Sequence, residues 1–236
     1  LLGDLQTRWL LVLFAVGIVA LGAQLLVVVP TEGFGRTMGA VLGFSPGSVD
    51  AVRDATFQWV SALSCTGFQS SPIGDYGAGA KVMLAVGMTI GGAAGSTVGG
   101  IKVIRAYTVS KGIQWQFQRV FLPASTVVTV SMGDRMLDRS EMDREFSEAA
   151  IVSLLWVLLL VASSIVLANV SPGFSYADAL FEVASAQGNV GLSAGITGPS
   201  MDPLAEAMFV LNMWIGRLEI IPVLVFARSI LSGLDP

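Results

Sequence analysis

The chain is a series of apolar runs separated by short polar breaks. Positions from about 8 to 29 form a nearly uninterrupted apolar run, and about 20 such residues cross the hydrocarbon core of a bilayer as a helix. Pro30 stops the run, and positions 31–48, rich in Gly, Pro and Ser, read as loop. A second apolar stretch covers about 78–109, with glycines crowding its middle; a third covers about 148–170 and a fourth about 203–230, the last containing Arg217 and Glu219. All four are predicted to span a membrane. Two shorter stretches, about 50–63 and about 176–187, lie between the first and second spans and between the third and fourth. Both are too short to cross. Each begins near an aspartate and runs into a glycine-containing loop, so they read as re-entrant half-helices. A membrane tolerates such backbone only where protein or a water-filled cavity covers it.

The pattern divides the chain into a first unit at 1–110, a polar connection at 111–147 and a second unit at 148–236. Within the connection, 127–138 with Gly133-Asp134 at its centre predicts a small hairpin. Ser140 with Asp143 three residues on has the form of a capping box for a helix that continues into the third span. Basic residues set an orientation. Lys102, Arg105, Lys111, Arg119, Arg135, Arg139 and Arg144 gather in 102–144, whereas 169–205 has none and 30–81 only Arg36, Arg53 and Lys81. The positive-inside rule then puts 102–144 and both chain ends in the cytoplasm, with the re-entrant loops open to the outside. Lys102 and Arg105 read as inside-facing anchors.

The two units resemble each other. Asp54, Ala55, Phe57, Ser61, Ala62 and Gly67 recur at a constant offset of 124 as Asp178, Ala179, Phe181, Ser185, Ala186 and Gly191. With one residue inserted, Met83, Met88, Ile90 and Gly91 match Met208, Met213, Ile215 and Gly216. Each unit is therefore a span, a re-entrant helix, a Gly loop and a second span, and two spans per unit make the units parallel. The fold class that follows is an all-α membrane protein with two parallel span–half-helix–Gly loop–span repeats.

This geometry suits a cation. The C-terminus of each half-helix, carrying roughly −0.5 of a charge, points into the membrane, while Asp54 and Asp178 sit near the opposite, positive end. Carbonyls of the returning loop can replace an ion's hydration shell, and Gly67 and Gly191 can adopt the backbone angles this requires. Ser64-Cys65-Thr66-Gly67-Phe68 and Gly188-Asn189-Val190-Gly191-Leu192 share the x-x-x-Gly-apolar form of a potassium filter. Two loops do not surround an ion and four do, so two more units are expected, from an N-terminal half or from a second copy. The fold class becomes an all-α membrane protein with two parallel span–pore helix–filter loop–span repeats, half of a four-repeat pseudo-fourfold ion channel. The chain has no initiator methionine and no cleavable signal pattern, and is read as part of a longer one whose N-terminal half supplies them.

Composition narrows the alternatives. Only 13% of the residues are charged, against about 25% in a soluble domain, which points to lipid as the solvent. The absence of histidine argues against most zinc sites and against Ser–His or Cys–His catalysis. Ser96 is accordingly no hydrolase nucleophile, and the protein is not expected to be an enzyme or to carry an organic cofactor. A net charge of −4 argues against nucleic acid as a partner.

At this point the residues resemble the Trk/Ktr/HKT superfamily of potassium uptake proteins, and most closely the third and fourth of the four repeats of the Trk-type membrane subunit. The match lies in 61–68 (SALSCTGF), 91–102 (GGAAGSTVGGIK), 185–193 (SAQGNVGLS) and 215–219 (IGRLE). The resemblance implies potassium as the transported ion, with Cys65, Thr66, Gly67, Asn189, Val190 and Gly191 lining the filter and Ser64, Phe68, Gly188 and Leu192 flanking it. It also implies a gate below the filter, formed by the flexible loop that contains Gly91, Gly92, Gly95, Ser96, Thr97, Gly99 and Gly100, with Arg217 near it. A homodimer in the cell membrane and a cytosolic nucleotide-binding ring subunit are the implied partners.

Other readings stand beside these. The glycines of 91–100 also suit tight helix packing, and Arg217 also suits an ion pair with Glu219 or a partner chain. The Cys65 thiol reads as a small buried hydrophobe. Sodium or mixed sodium and potassium transport by the same fold is the alternative function, since a filter Ser in place of Gly is associated with sodium preference in this superfamily. A permease subunit of an ATP-driven transporter ranks below that.

Overall fold

The computed structural model describes residues 4–28, 46–93, 96, 98–121, 130–132, 135–218 and 220–232. Helix α1 is Leu5–Val28, α2 is Pro46–Leu63, α3 is Ala78–Thr89 and α4 is Val103–Phe121. Helix α5 runs over Arg139–Val170, α6 over Tyr176–Gln187, α7 over Pro203–Leu218 and α8 over Ile220–Ser232. A two-residue strand β1 (Ile90–Gly91) pairs parallel with β2 (Ile101–Lys102), and β3 (Val130–Met132) pairs antiparallel with β4 (Arg135–Leu137). The second pair is the expected hairpin, Met132 opposite Arg135.

Among the described residues two helices are long and apolar enough to cross a membrane, with windows at Leu5–Leu26 and Ser140–Val170. The pair α7 and α8 passes the same test only if taken together, and it is bent by 111°. The continuous fourth span expected from the sequence is thus two helices. The second apolar stretch is also divided. At 1.5 Å per residue α3 is about 18 Å long, short of the roughly 30 Å hydrocarbon core, and the Gly-rich segment follows it in place of more helix.

Local signals explain where several helices begin. Ser175 caps α6 in a reciprocal box with Asp178, each side chain bonding the other residue's backbone N–H. For α5 the box is formed by Asp138 and Glu141, not by Ser140 and Asp143. Glu141 is long enough to reach back to the Asp138 N–H, and Ser140 donates its hydroxyl to Asp138 instead. Helix α2 starts at Pro46, earlier than the expected position near 50, because proline suits a helix's first turn, where its missing N–H has no role. Asp54 is therefore inside α2 and not at its positive end, and it accepts a bond from Ser70 and pairs with Arg53.

One apolar core joins α1, α2, α3, α5, α6 and α7 through Leu21, Trp59, Leu84, Met88, Leu160, Phe181 and Phe209. Trp59 fixes α2 on α1 by donating its indole N–H to the Leu13 carbonyl at 3.0 Å. A smaller cluster of Trp115, Leu137 and Met142, with Phe146 against it, holds the hairpin between α4 and α5. The core places the C-terminal ends of α2 and α6, and the loops that leave them, next to each other.

Candidate functional site

Both loops leave their helices by the same backbone path. The amides of Ser64, Cys65 and Thr66 donate to the carbonyls of Val60, Ala62 and Ser61. The amides of Gly188, Asn189 and Val190 donate to those of Ala184, Ala186 and Ser185, each bond recurring 124 positions on. Backbone angles repeat as well. Cys65 and Asn189 have φ of 52° and 54°, and Gly67 and Gly191 have φ of 78° and 96°. The left-handed region disfavours most residues with a Cβ, so Cys65 is held there by the surrounding bonds, while asparagine tolerates the region and glycine meets no such penalty.

Each loop is secured from behind by its own half-helix. Ser61 Oγ donates to the Phe68 carbonyl at 2.6 Å, and the Gly191 amide donates to Ser185 Oγ at 3.1 Å. Gln58 Nε2 donates to the Ser71 carbonyl at 3.1 Å. The matching residue in α6 is Glu182, 2% exposed. It receives the Ser193 hydroxyl, the Thr197 hydroxyl and the Thr197 amide at one oxygen and the Ala194 amide at the other. Neither Gln58 nor Glu182 was singled out in the sequence. Their common position, 124 apart on the matched helices, was the available signal.

The loops touch. A Cβ on Gly67 would collide with the Val190 carbonyl, and Cys65 Sγ lies 3.4 Å from the Gly188 carbonyl oxygen. The Cys65 thiol is half-buried and bridges the two loops. Asn189 Nδ2 reaches the Met213 carbonyl of α7 at 3.2 Å, and Thr66 Oγ1 is 2.6 Å from Ser64 Oγ. Phe68 is exposed while its counterpart Leu192 is buried. A cavity of about 600 Å³ is lined by Asn189, Val190, Gly191 and Leu192 together with Glu182, Glu206 and Met213.

The Gly-rich segment is brought to the same place. Gly91 belongs to β1; Gly92, Ser96, Gly99 and Gly100 lie in the excursion between β1 and β2, whereas Gly95 and Thr97 are outside the described residues. Gly99 is so close to the base of the second loop that a Cβ there would collide with the Gly188 carbonyl. Lys102 does not simply face away as an anchor. Its Nζ donates to the Ser96 carbonyl at 3.2 Å and to the Val98 carbonyl, tying the excursion to β2. Arg217 occupies the last turn of α7 with an exposed side chain. Its neighbour Gly216 packs on the end of α6, where a Cβ would collide with the Gln187 carbonyl. Glu219, one of the two partners considered for an Arg217 ion pair, is outside the described residues.

Long apolar helices around two half-helices that end in glycine loops define a mostly helical membrane protein. The chain belongs to the TrkH family of cation transport proteins, whose family model matches residues 1–233. This is a family of transporters and not of enzymes. The chain is 31% identical over 179 residues to an uncharacterised cation transporter of Methanocaldococcus jannaschii, covering 76% of this chain and 36% of that protein. It is 31% identical over 180 residues to the Trk system potassium uptake protein TrkH of Escherichia coli K12, covering 74% and 35%. It thus spans about a third of the length of these relatives. The crystal structure of the potassium transporter TrkH from Vibrio parahaemolyticus superposes with a TM-score of 0.73 at 24% identity, covering 94% of this chain and 44% of that one, and shares its fold.

Proposed function

We propose that this chain forms half of a potassium-conducting pore in a cell membrane, with 64–68 and 188–192 as two of its filter strands. The observation that carries the reading is the repeated loop geometry: identical amide-to-carbonyl bonds and positive φ at 65, 67, 189 and 191. A left-handed residue at every second position turns successive carbonyls toward one side, where they can stand in for a hydration shell. Cys65, Thr66, Gly67, Asn189, Val190 and Gly191 then provide the carbonyls. Residues 1–110 and 148–236 are the third and fourth repeats of the pore, joined by a cytoplasmic connection at 111–147. An N-terminal half supplies the other two repeats. The excursion containing Gly91, Gly92, Ser96, Gly99 and Gly100 obstructs the path below the filter, and Arg217 raises an electrostatic barrier there. A second copy of the protein and a cytosolic nucleotide-binding ring are the partners this reading expects, with both ends of the chain in the cytoplasm.

Potassium is favoured by glycine at both 67 and 191 and by the name of the Escherichia coli relative, a potassium uptake protein. The test is rubidium and sodium flux into liposomes containing the full-length protein, wild type against Gly191→Ser. The serine is strained at φ 96° and turns its carbonyl aside. Rubidium flux above sodium flux, with the preference lost in the variant, is the expected result. Equal or sodium-dominated flux in the wild type would favour sodium or mixed transport by the same fold. No flux from folded protein supplied with its regulatory partner would reject the pore reading.

A further inference from the structure

We propose that the buried Lys81–Asp178 ion pair is a positioning contact that holds the second filter loop in register with the Gly-rich excursion, an inference that rests on the pore reading above. Lys81 lies in the first turns of α3, where a lysine can usually extend its ammonium to water. Here it turns inward. Lys81 is 6% exposed and Asp178 8%. Nζ is 2.6 Å from Asp178 Oδ1 and 2.8 Å from the Gly74 carbonyl. The other carboxylate oxygen of Asp178 is engaged by the Ser175 amide and hydroxyl at the start of α6. A single ammonium therefore gathers three things: the N-terminal end of α3, the N-terminal end of α6 and the segment that follows the first filter loop. Gly74 in turn approaches the segment that follows the second, since a Cβ on it would lie 3.3 Å from the Ala194 carbonyl.

The opposite ends of the same two helices are also joined. A Cβ on Gly188, at the C-terminal end of α6, would lie 3.0 Å from the Met88 carbonyl of α3. Gly99 packs on the Gly188 carbonyl from the far side of the excursion. Helices α3 and α6 are each 12 residues long, so contacts at both ends fix their relative height. The two helices also share the apolar core between these ends, through Leu84, Met88, Phe181 and Ala184, so release of the N-terminal contact is expected to tilt α6 against that packing and not to free it. Its C-terminal end bears Gly188, where filter and excursion meet.

The pair is not a generic feature of the repeated unit. Asp54, the counterpart of Asp178, is paired with exposed Arg53 and with Ser70. The position matching Lys81 in the second unit, 125 residues on, is Glu206. The ion pair belongs to the junction between units, the place where one filter strand's height is set against the next.

The experiment compares rubidium-to-sodium flux ratios in liposomes for the full-length wild type, Lys81→Met, Asp178→Asn, the double variant and Lys81→Arg. The double variant leaves no unpaired buried charge, which makes it the one expected to fold best among the neutral variants. The expectation is a ratio lowered about fivefold or more in the folded neutral variants. The double variant should be no worse than either single, because one contact is being removed, and Lys81→Arg should keep the wild-type ratio. A folded double variant with the wild-type ratio would overturn the proposal, whatever the singles do. A wild type with no rubidium preference would instead reject the pore reading on which the proposal stands.

Discussion

Glu182→Gln changes one atom and a charge, and the structure says what the change should cost. The carboxylate is buried and accepts bonds from Ser193 Oγ at 2.6 Å, Thr197 Oγ1 at 2.6 Å, the Thr197 amide at 3.1 Å and the Ala194 amide at 2.7 Å. All four groups donate. A glutamine places its carbonyl oxygen on one side and an NH2 on the other. If the oxygen faces Ser193 and Thr197, the NH2 faces the Ala194 N–H, and two donors oppose each other in a buried site. Leaving that amide unsatisfied costs about 1–3 kcal/mol, and replacing charge-assisted bonds by neutral ones adds about 1 kcal/mol. The total of roughly 2–4 kcal/mol corresponds to a fall in melting temperature of about 4–16 °C for a chain of this size. Thermal unfolding of the purified protein in detergent, followed by tryptophan fluorescence, measures it. A fall of less than about 2 °C would refute the reasoning, because it would mean that the segment 193–197 does not depend on an all-acceptor partner.

Gly99→Ala should raise cation flux, because the methyl group collides with the Gly188 carbonyl and unseats the excursion; a variant as closed as the wild type would mean the excursion does not obstruct the path. Arg217→Ala should likewise increase flux by removing a positive charge from the cation's route, and unchanged or lower flux in folded protein would speak against a barrier. The cap of α5 should weaken in acid. The Glu141 amide, and secondarily the Ser140 hydroxyl, hold the Asp138 carboxyl below its ordinary value of 3.8. The folded value is the lower one, so the contribution is complete above the unfolded value and is lost as pH falls through the folded one. Protection of the Glu141 amide against hydrogen exchange, taken relative to the intrinsic rate at each pH, should fall in that acid window and not near neutrality.

What the sequence revealed and what it concealed follow from the range of the interactions. The start of α6 was readable because Ser175 and Asp178 are three residues apart and act on each other's backbone. The hairpin was readable because its strands are separated by two residues. The same local logic erred at α5, where two overlapping pairs fit the capping pattern and the longer Glu141 prevailed over Asp143. The partners of Lys81 and Glu182 were hidden. Lys81 was counted as one of the few basic residues of a polar segment, and nothing nearby in the chain indicates Asp178. Glu182 escaped the match of the two units because its counterpart is Gln58, a similar residue and not an identical one. The 111° turn between α7 and α8 falls where Arg217, Glu219 and Pro222 interrupt the apolar run, a local signal that the expectation of one continuous span passes over.

The parallel pairing of β1 and β2 has a consequence for how this protein can vary. Ile90 lies beside Ile101 and Gly91 beside Lys102, with both strands heading the same way. The chain must therefore travel out and double all the way back within 92–100 before resuming its course. The excursion works like a railway siding: traffic leaves the main line and rejoins it at almost the same point. Length changes are expected to be tolerated only away from Gly91, Gly99 and Gly100, which pack closely on neighbouring backbone; elsewhere in the siding closure entropy grows by only about 0.6 kcal/mol for each doubling of length. If the excursion obstructs the pathway as proposed, changes in its length and composition are expected to alter that obstruction while the architecture around it stays as it is.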